Sequence, residues 1–211
     1  MKISEIFTSI QGETSFVGLP FTFVRLTGCN LRCSYCDTQY AYEEGTEYSL
    51  DAVVAEVNKR AVSRAVITGG EPLLQDETYI LCSRLLDAGF TVLLETNGSI
   101  VIKYVDQRVH RILDLKCPGS GMDKYMNLQN VDYLTVRDEI KFVISHREDF
   151  EWALEILKQH ELQGRAHVLF SPVSDRLHPQ ELAEWILQEK LNVRLQLQIH
   201  RYIWPDTLRG V

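Results

Sequence analysis

The chain has no apolar run of about 18 residues, the least that a membrane-spanning helix needs. Its first residues, MKISEIFTSI, carry neither a basic segment ahead of a long apolar stretch nor a small-residue cleavage site. A soluble, cytoplasmic protein with no membrane partner is expected. Basic charge is also scarce: the formal net charge is −7, whereas binding to a nucleic-acid backbone draws on clustered Lys and Arg. A small-molecule substrate suits this balance better than nucleic acid. Cysteines are few and odd in number, five in all, so a disulfide framework accounts for them poorly in a chain without a secretory signal. No internal repeat, low-complexity tract or linker interrupts the 211 residues, which read as one domain, 1–211.

What is present is an alternation of strand-length apolar segments with segments of helical period. PFTFVRLTG (20–28) reads as a strand that leads into a cysteine-rich loop. Leu50, Val53, Val54, Val57 and Ala61 follow at helical spacing behind a Ser49 cap. Further strands are expected at 64–68, 90–96, 109–116, 138–145 and 166–172. Helices are expected to about residue 88, around Phe150, Leu154 and Leu157, and around Leu182 and Ile186. Val193, Leu195, Leu197 and Ile199 alternate with polar residues, the pattern of an edge strand. The expected class is therefore α/β, a partial, open TIM-type barrel of about six β-α units with a C-terminal edge strand. Its active site belongs at the carboxyl ends of the strands.

The loop GCNLRCSYCDTQYAY leaves the first of these strands and holds Cys29, Cys33 and Cys36. Iron-sulfur cubanes usually take four thiolates, so three leave one iron open to another molecule. A structural zinc site needs a fourth Cys or His, and the nearest His, His110, is far along the chain. Cys82, in an apolar helical stretch, and Cys117, before a proline, read as small buried or loop thiols.

This cysteine spacing after the first strand, with Tyr35 between the last two ligands, resembles the radical S-adenosylmethionine superfamily. The resemblance implies that Cys29, Cys33 and Cys36 hold a 4Fe-4S cluster whose open iron binds S-adenosylmethionine. Reductive cleavage of that cofactor then gives a radical that abstracts a hydrogen atom. Gly69-Gly70-Glu71-Pro72 resembles the superfamily's GGEP segment. Tyr35, Gly70, Glu71, Glu95, Asp114, Lys116, Ser171, Pro172, Val173 and Ser174 are its implied cofactor contacts.

Within the superfamily, EIFTSIQGET (5–14) followed by FVRLTGCNLRCSYCDT is similar to the 7-carboxy-7-deazaguanine synthase family of queuosine precursor biosynthesis. That resemblance implies conversion of 6-carboxy-5,6,7,8-tetrahydropterin to 7-carboxy-7-deazaguanine by hydrogen abstraction, ring contraction and ammonia loss. Ile10, Gln11, Gly12, Glu13, Arg25, Thr68 and Pro205 become substrate contacts, and Thr38 a ligand to Mg²⁺. An amide, a carboxylate and glycine-exposed backbone suit the donor and acceptor edge of a pterin, and Arg25 suits its carboxylate. The family also implies a homodimer and a reductant protein such as flavodoxin or ferredoxin, with the edge strand near Val193 to Ile199 as one interface.

Two segments depart from the family pattern. Six residues follow Pro205, so a terminal carboxylate does not serve there, and Asp114-Leu115-Lys116 stands where the family has Ser-Pro-Lys. Alternative readings are a glycyl-radical enzyme activase of the same superfamily and, from a different class, an iron-sulfur electron carrier. The IQGE segment and Thr38 favour the small-molecule synthase over the activase, and GGEP with six β-α units exceeds what an electron carrier needs.

Overall fold

The computed structural model describes residues 1–207 and 209–211. Its framework is a single open sheet. Strand β1 (Lys2–Ile10) pairs antiparallel with β2 (Pro20–Leu26) and with the short β3 (Thr46–Glu47). From β2 onward the strands run parallel: β4 (Arg64–Gly69), β5 (Thr91–Thr96), β6 (His110–Lys116), β7 (Glu139–Ile144), β8 (His167–Pro172) and β9 (Arg194–Leu195). The order across the sheet is β3-β1-β2-β4-β5-β6-β7-β8-β9, with β3 and β9 at its two edges.

The parallel strands are apolar on their outer face, against which the helices pack. Helix α1 (Leu50–Asn58) begins at Ser49, whose side chain accepts from the Ala52 amide and so satisfies one of the free N–H groups of the first turn. Helix α2 (Glu77–Asp87) follows β4, α3 (Arg147–Gln159) follows β7, and α4 (Pro179–Gln188) follows β8. Val53, Val57, Leu81, Leu85, Phe150, Leu157, Leu182 and Ile186 meet Val24, Ile67, Leu94, Leu113, Phe142 and Phe170 in one continuous core. Burial of this apolar surface is the main force holding the curved sheet to its helices.

The concave face is layered. Period-two alternation turns Phe21, Phe23, Val66, Leu93 and Ile112 inward as an apolar floor, to which Phe7 and Phe16 add. Two residues further toward the carboxyl ends, the same alternation turns Arg25, Thr68, Glu95 and Asp114 inward, with Lys141 paired to Asp114 in the sheet register. A polar layer thus lies on an apolar floor at the carboxyl ends of the parallel strands.

The expected α/β partial, open barrel with a C-terminal edge strand is what the structure shows, with two differences of detail. Of the six strands expected to head β-α units, β2, β4, β5, β6, β7 and β8, only β2, β4, β7 and β8 lead to an α-helix before the next parallel strand. The connections at 97–109 and 117–138 carry turns and short 3-10 helices such as Leu128–Tyr133, because their polar side chains satisfy the backbone locally. Asn130, fully buried, donates to the Gly98 and Ile100 carbonyls and accepts from the Ile102 amide. The alternating segment 193–199 pairs with the sheet only at Arg194–Leu195. The Gln196 side chain turns inward to 3% exposure, and the Ile199 amide pairs with the Gly12 carbonyl, so the chain leaves the ladder for helix α5 (His200–Ile203).

Candidate active site

The cysteine loop is fastened at both ends. The Gly28 amide donates to the Ala41 carbonyl at 2.8 Å, and the Glu71 amide donates to the Gly28 carbonyl at 2.7 Å. A Cβ on Gly70 would collide with the Gly28 carbonyl and the Cys29 side chain, so glycine is what lets the GGEP turn lie against the cysteine loop. In the middle of the loop, the Ser34 amide and hydroxyl donate to the Ser120 and Gly119 carbonyls.

Cys29, Cys33 and Cys36 are all free and partly buried. Burial pushes the Cys29 thiol up and the Cys33 thiol up to about 11, so both hold protons until a metal displaces them. The Leu31 amide reaches the Cys29 sulfur at 3.4 Å and the Asn97 amide group at 3.9 Å, contacts that favour thiolate. Among the described residues no group of three or more His, Cys, Asp or Glu closes in on a single ion. Three free thiols on one loop fit an iron-sulfur cluster, where each cysteine binds a different iron and one iron stays open. Cys82 and Cys117 are fully buried in the core, Cys82 with its thiol pushed up to about 12 by burial.

Beside this loop the polar layer forms one network. Thr68 donates to Glu95 at 2.9 Å, and the Gln11 amide donates to the other Glu95 oxygen at 3.3 Å. Lys141 lies 2.8 Å from Glu13 and 3.1 Å from Asp114, which also takes Lys116 at 2.9 Å. Gln198 donates to the second Glu13 oxygen at 2.6 Å. Burial opposes charge on Glu13, but Lys141 and Gln198 outweigh it and hold the carboxyl below its ordinary range. Glu95 goes the other way: burial and the nearby Glu13 raise it above the ordinary range despite Lys141.

The residues expected to serve the site are distributed as follows. Gln11, Glu13, Thr68, Glu95, Asp114 and Lys116 meet in the network, with Ile10 ending β1 and Gly12 under His200. Arg25 points into the layer but is held by Glu5 at 2.7 Å, and Tyr40 donates to the same oxygen. Glu71 is fully buried, and its carboxylate accepts from the Leu73 and Asn97 amides and the Thr96 hydroxyl, so it ties the GGEP turn to β5. Tyr35 is half-buried beside the loop, its hydroxyl 3.5 Å from the Val143 carbonyl. Thr38 donates to Asp37, whose other oxygen takes Arg201. Ser171, Pro172 and Val173 are buried at the end of β8, while Ser174 is exposed and accepts from Arg201. Pro205 is exposed in the turn after α5.

Sequence reasoning missed Glu5, Asp37, Lys141, Gln198, His200 and Arg201. Lys141 carried a signal, a lone lysine between Ile140 and Phe142 at an inward position of the strand EIKFVI. Asp37 follows Cys36 in the cysteine loop itself, and Glu5, Gln198, His200 and Arg201 become neighbours of the site only when β1 and the segment 196–201 fold over it.

A sheet of this topology with a three-cysteine loop against GGEP defines a radical enzyme, and the radical SAM superfamily model matches residues 23–186. The chain is 46% identical to a 7-carboxy-7-deazaguanine synthase of Koribacter versatilis, covering 100% of each. It is 44% identical to one of Chlorobaculum tepidum, covering 100% of this chain and 97% of that one. The crystal structure of QueE from Escherichia coli superposes with a TM-score of 0.77 at 25% identity, over 93% of both chains. SuiB from Streptococcus suis, at 13% identity and a TM-score of 0.56, shares the fold alone. The chain belongs to the 7-carboxy-7-deazaguanine synthase family of the radical SAM superfamily.

Proposed function

We propose that the chain converts 6-carboxy-5,6,7,8-tetrahydropterin to 7-carboxy-7-deazaguanine in queuosine precursor biosynthesis, as one domain spanning 1–211. The carrying observation is the polar layer itself: amide, carboxylate and guanidinium groups line the concave face next to the cysteine loop. Cys29, Cys33 and Cys36 would hold a 4Fe-4S cluster, which would supply the electron for reductive cleavage of S-adenosylmethionine to a hydrogen-abstracting radical.

The chain's own residues then bind and orient the pterin. Gln11, Glu13 and Gln198 present acceptors and donors to its amide and amino edge. Arg25 binds the substrate carboxylate as a fork once that carboxylate displaces Glu5. Glu95, whose two oxygens accept from Thr68 and Gln11 and whose carboxyl is raised above its ordinary range by burial, is suited to accept a substrate proton as the ring rearranges. Ile10, Gly12 and Pro205 complete the substrate contacts. Tyr35, Gly70, Glu71, Asp114, Lys116 and Ser171 to Ser174 border the cofactor, Glu71 by fixing the turn that carries Gly70.

Mg²⁺ is the second metal of this reading. The Thr38 hydroxyl and the adjacent Asp37 carboxylate are hard oxygen donors at the mouth of the site. Thr38 and Asp37 would hold Mg²⁺ together with the substrate carboxylate and water, and the ion would neutralise that carboxylate's charge. The reading also includes a homodimer, a flavodoxin or ferredoxin as reductant, and the cytoplasm. No helix among the described residues is long and apolar enough to cross a membrane.

The test is anaerobic: reconstituted protein with dithionite, S-adenosylmethionine, Mg²⁺ and the carboxytetrahydropterin is expected to form 7-carboxy-7-deazaguanine. Cleavage of S-adenosylmethionine without that product overturns the substrate and leaves the superfamily chemistry standing.

A further inference from the structure

Lys141 is buried to 9% exposure, and its ammonium touches two carboxylates that belong to different halves of the site. Glu13, at 2.8 Å, lies on the loop after β1 together with Gln11, under the segment that brings Gln198 and His200. Asp114, at 3.1 Å, lies on β6 and shares its oxygen with Lys116, on the strand whose following turn at Gly119 and Ser120 accepts from Ser34 of the cysteine loop. The other Asp114 oxygen, Oδ1, is buried and has no hydrogen-bond partner. An unpartnered buried acceptor is costly until a donor reaches it.

Resting on the proposed division of the site into pterin and cofactor halves, we propose that Lys141 is a positioning residue that couples them by sharing one ammonium between Glu13 and Asp114. A donor group of the cofactor arriving on Asp114 Oδ1 draws charge from the oxygen that holds Lys141. The ammonium then moves toward Glu13, tightening the loop 11–13 into the geometry that the pterin needs. Neither carboxylate touches the other, so a single cation of fixed charge is the physical link between them. Because the link is an equilibrium one, it acts in both directions: bound pterin strengthens cofactor binding by the same factor.

The experiment is calorimetric titration of anaerobically reconstituted protein without reductant, so that no turnover occurs. The carboxytetrahydropterin is titrated with and without saturating S-adenosylmethionine, and the reverse. In the unmodified chain each ligand is expected to tighten the other by on the order of 10-fold. Lys141→Met is expected to bring that factor to within about twofold of unity, and Lys141→Arg to retain most of it. Should Lys141→Met fail to fold, Lys141→Gln, which keeps one amide donor but no charge, is expected to lose the coupling likewise. Folded Met or Gln variants that bind both ligands with undiminished coupling overturn the inference, as does an unmodified chain with no coupling. An unmodified chain that binds S-adenosylmethionine but no pterin overturns the functional reading instead, and the inference with it.

Discussion

The Ile199 amide donates to the Gly12 carbonyl at 3.0 Å, which lays the segment after β9 directly over the loop after β1. The approach is so close that a Cβ on Gly12 would collide with the His200 ring. Gly12→Ala is therefore expected to push His200 and Gln198 off the loop. The KM for the pterin should rise at least about 10-fold, equivalent to ~1.4 kcal/mol, while S-adenosylmethionine affinity holds. Steady-state kinetics beside cofactor titration checks this; an unchanged KM contradicts it.

Arg25 and Glu5 form an ion pair in which both side chains are largely buried. A substrate carboxylate binding to Arg25 has to replace Glu5. Arg25→Met should lower pterin affinity by roughly 10- to 100-fold, the range for losing a charge-assisted hydrogen bond. Glu5→Gln, which removes the competing charge, should lower the KM several-fold with little change in kcat. A Glu5→Gln enzyme with a raised KM would mean that Glu5 instead holds Arg25 in its working position.

The five cysteines divide by burial into three in the loop and two in the core. Native apoprotein treated with iodoacetamide should be modified at Cys29, Cys33 and Cys36 and spared at Cys82 and Cys117. Denatured protein should be modified at all five. Peptide mass spectrometry reads the pattern, and early labelling of Cys117 would contradict its burial at the end of β6.

Arg111 and Asp138 form a buried two-point ion pair between β6 and the residue before β7. Burial opposes the Asp138 charge, but the Arg111 guanidinium and the Arg111 and Thr135 amides outweigh it and lower the carboxyl below its ordinary range. A depressed folded-state value means the pair stabilises fully above the unfolded carboxylate range near pH ~3.9. That contribution is lost as pH falls through the lower folded value. Arg111→Met should cost about 3–5 kcal/mol at neutral pH by leaving Asp138 uncompensated. Urea unfolding of both proteins at pH 7 checks the size, and stability followed from pH ~4 downward checks the trend.

Most of the parallel sheet was legible because buried strands announce themselves as short apolar runs, and α1 because Ser49 caps it. The cysteine loop was legible because cluster chemistry demands a fixed spacing. Strand β1 was not, since its burial is only partial along KISEIFTSI and its partner comes from the next strand. The segment 193–199 was legible as an edge strand but not in its length, because alternation also arises where a chain turns one polar side chain, Gln196, inward and then leaves the sheet. Gln198 and His200 stayed hidden because nothing local ties them to the site; only the closing of separate segments over one layer brings them to Glu13, whereas Lys141 stands out within its strand.

The most direct measurement of the central claim is a crystal structure of the anaerobically reconstituted protein with S-adenosylmethionine and the carboxytetrahydropterin bound. The account predicts the pterin on the polar layer beside the cysteine loop, its carboxylate on Arg25 in place of Glu5 and its amide edge on Gln11 and Glu13. A pterin bound elsewhere, with Arg25 still paired to Glu5, would contradict it.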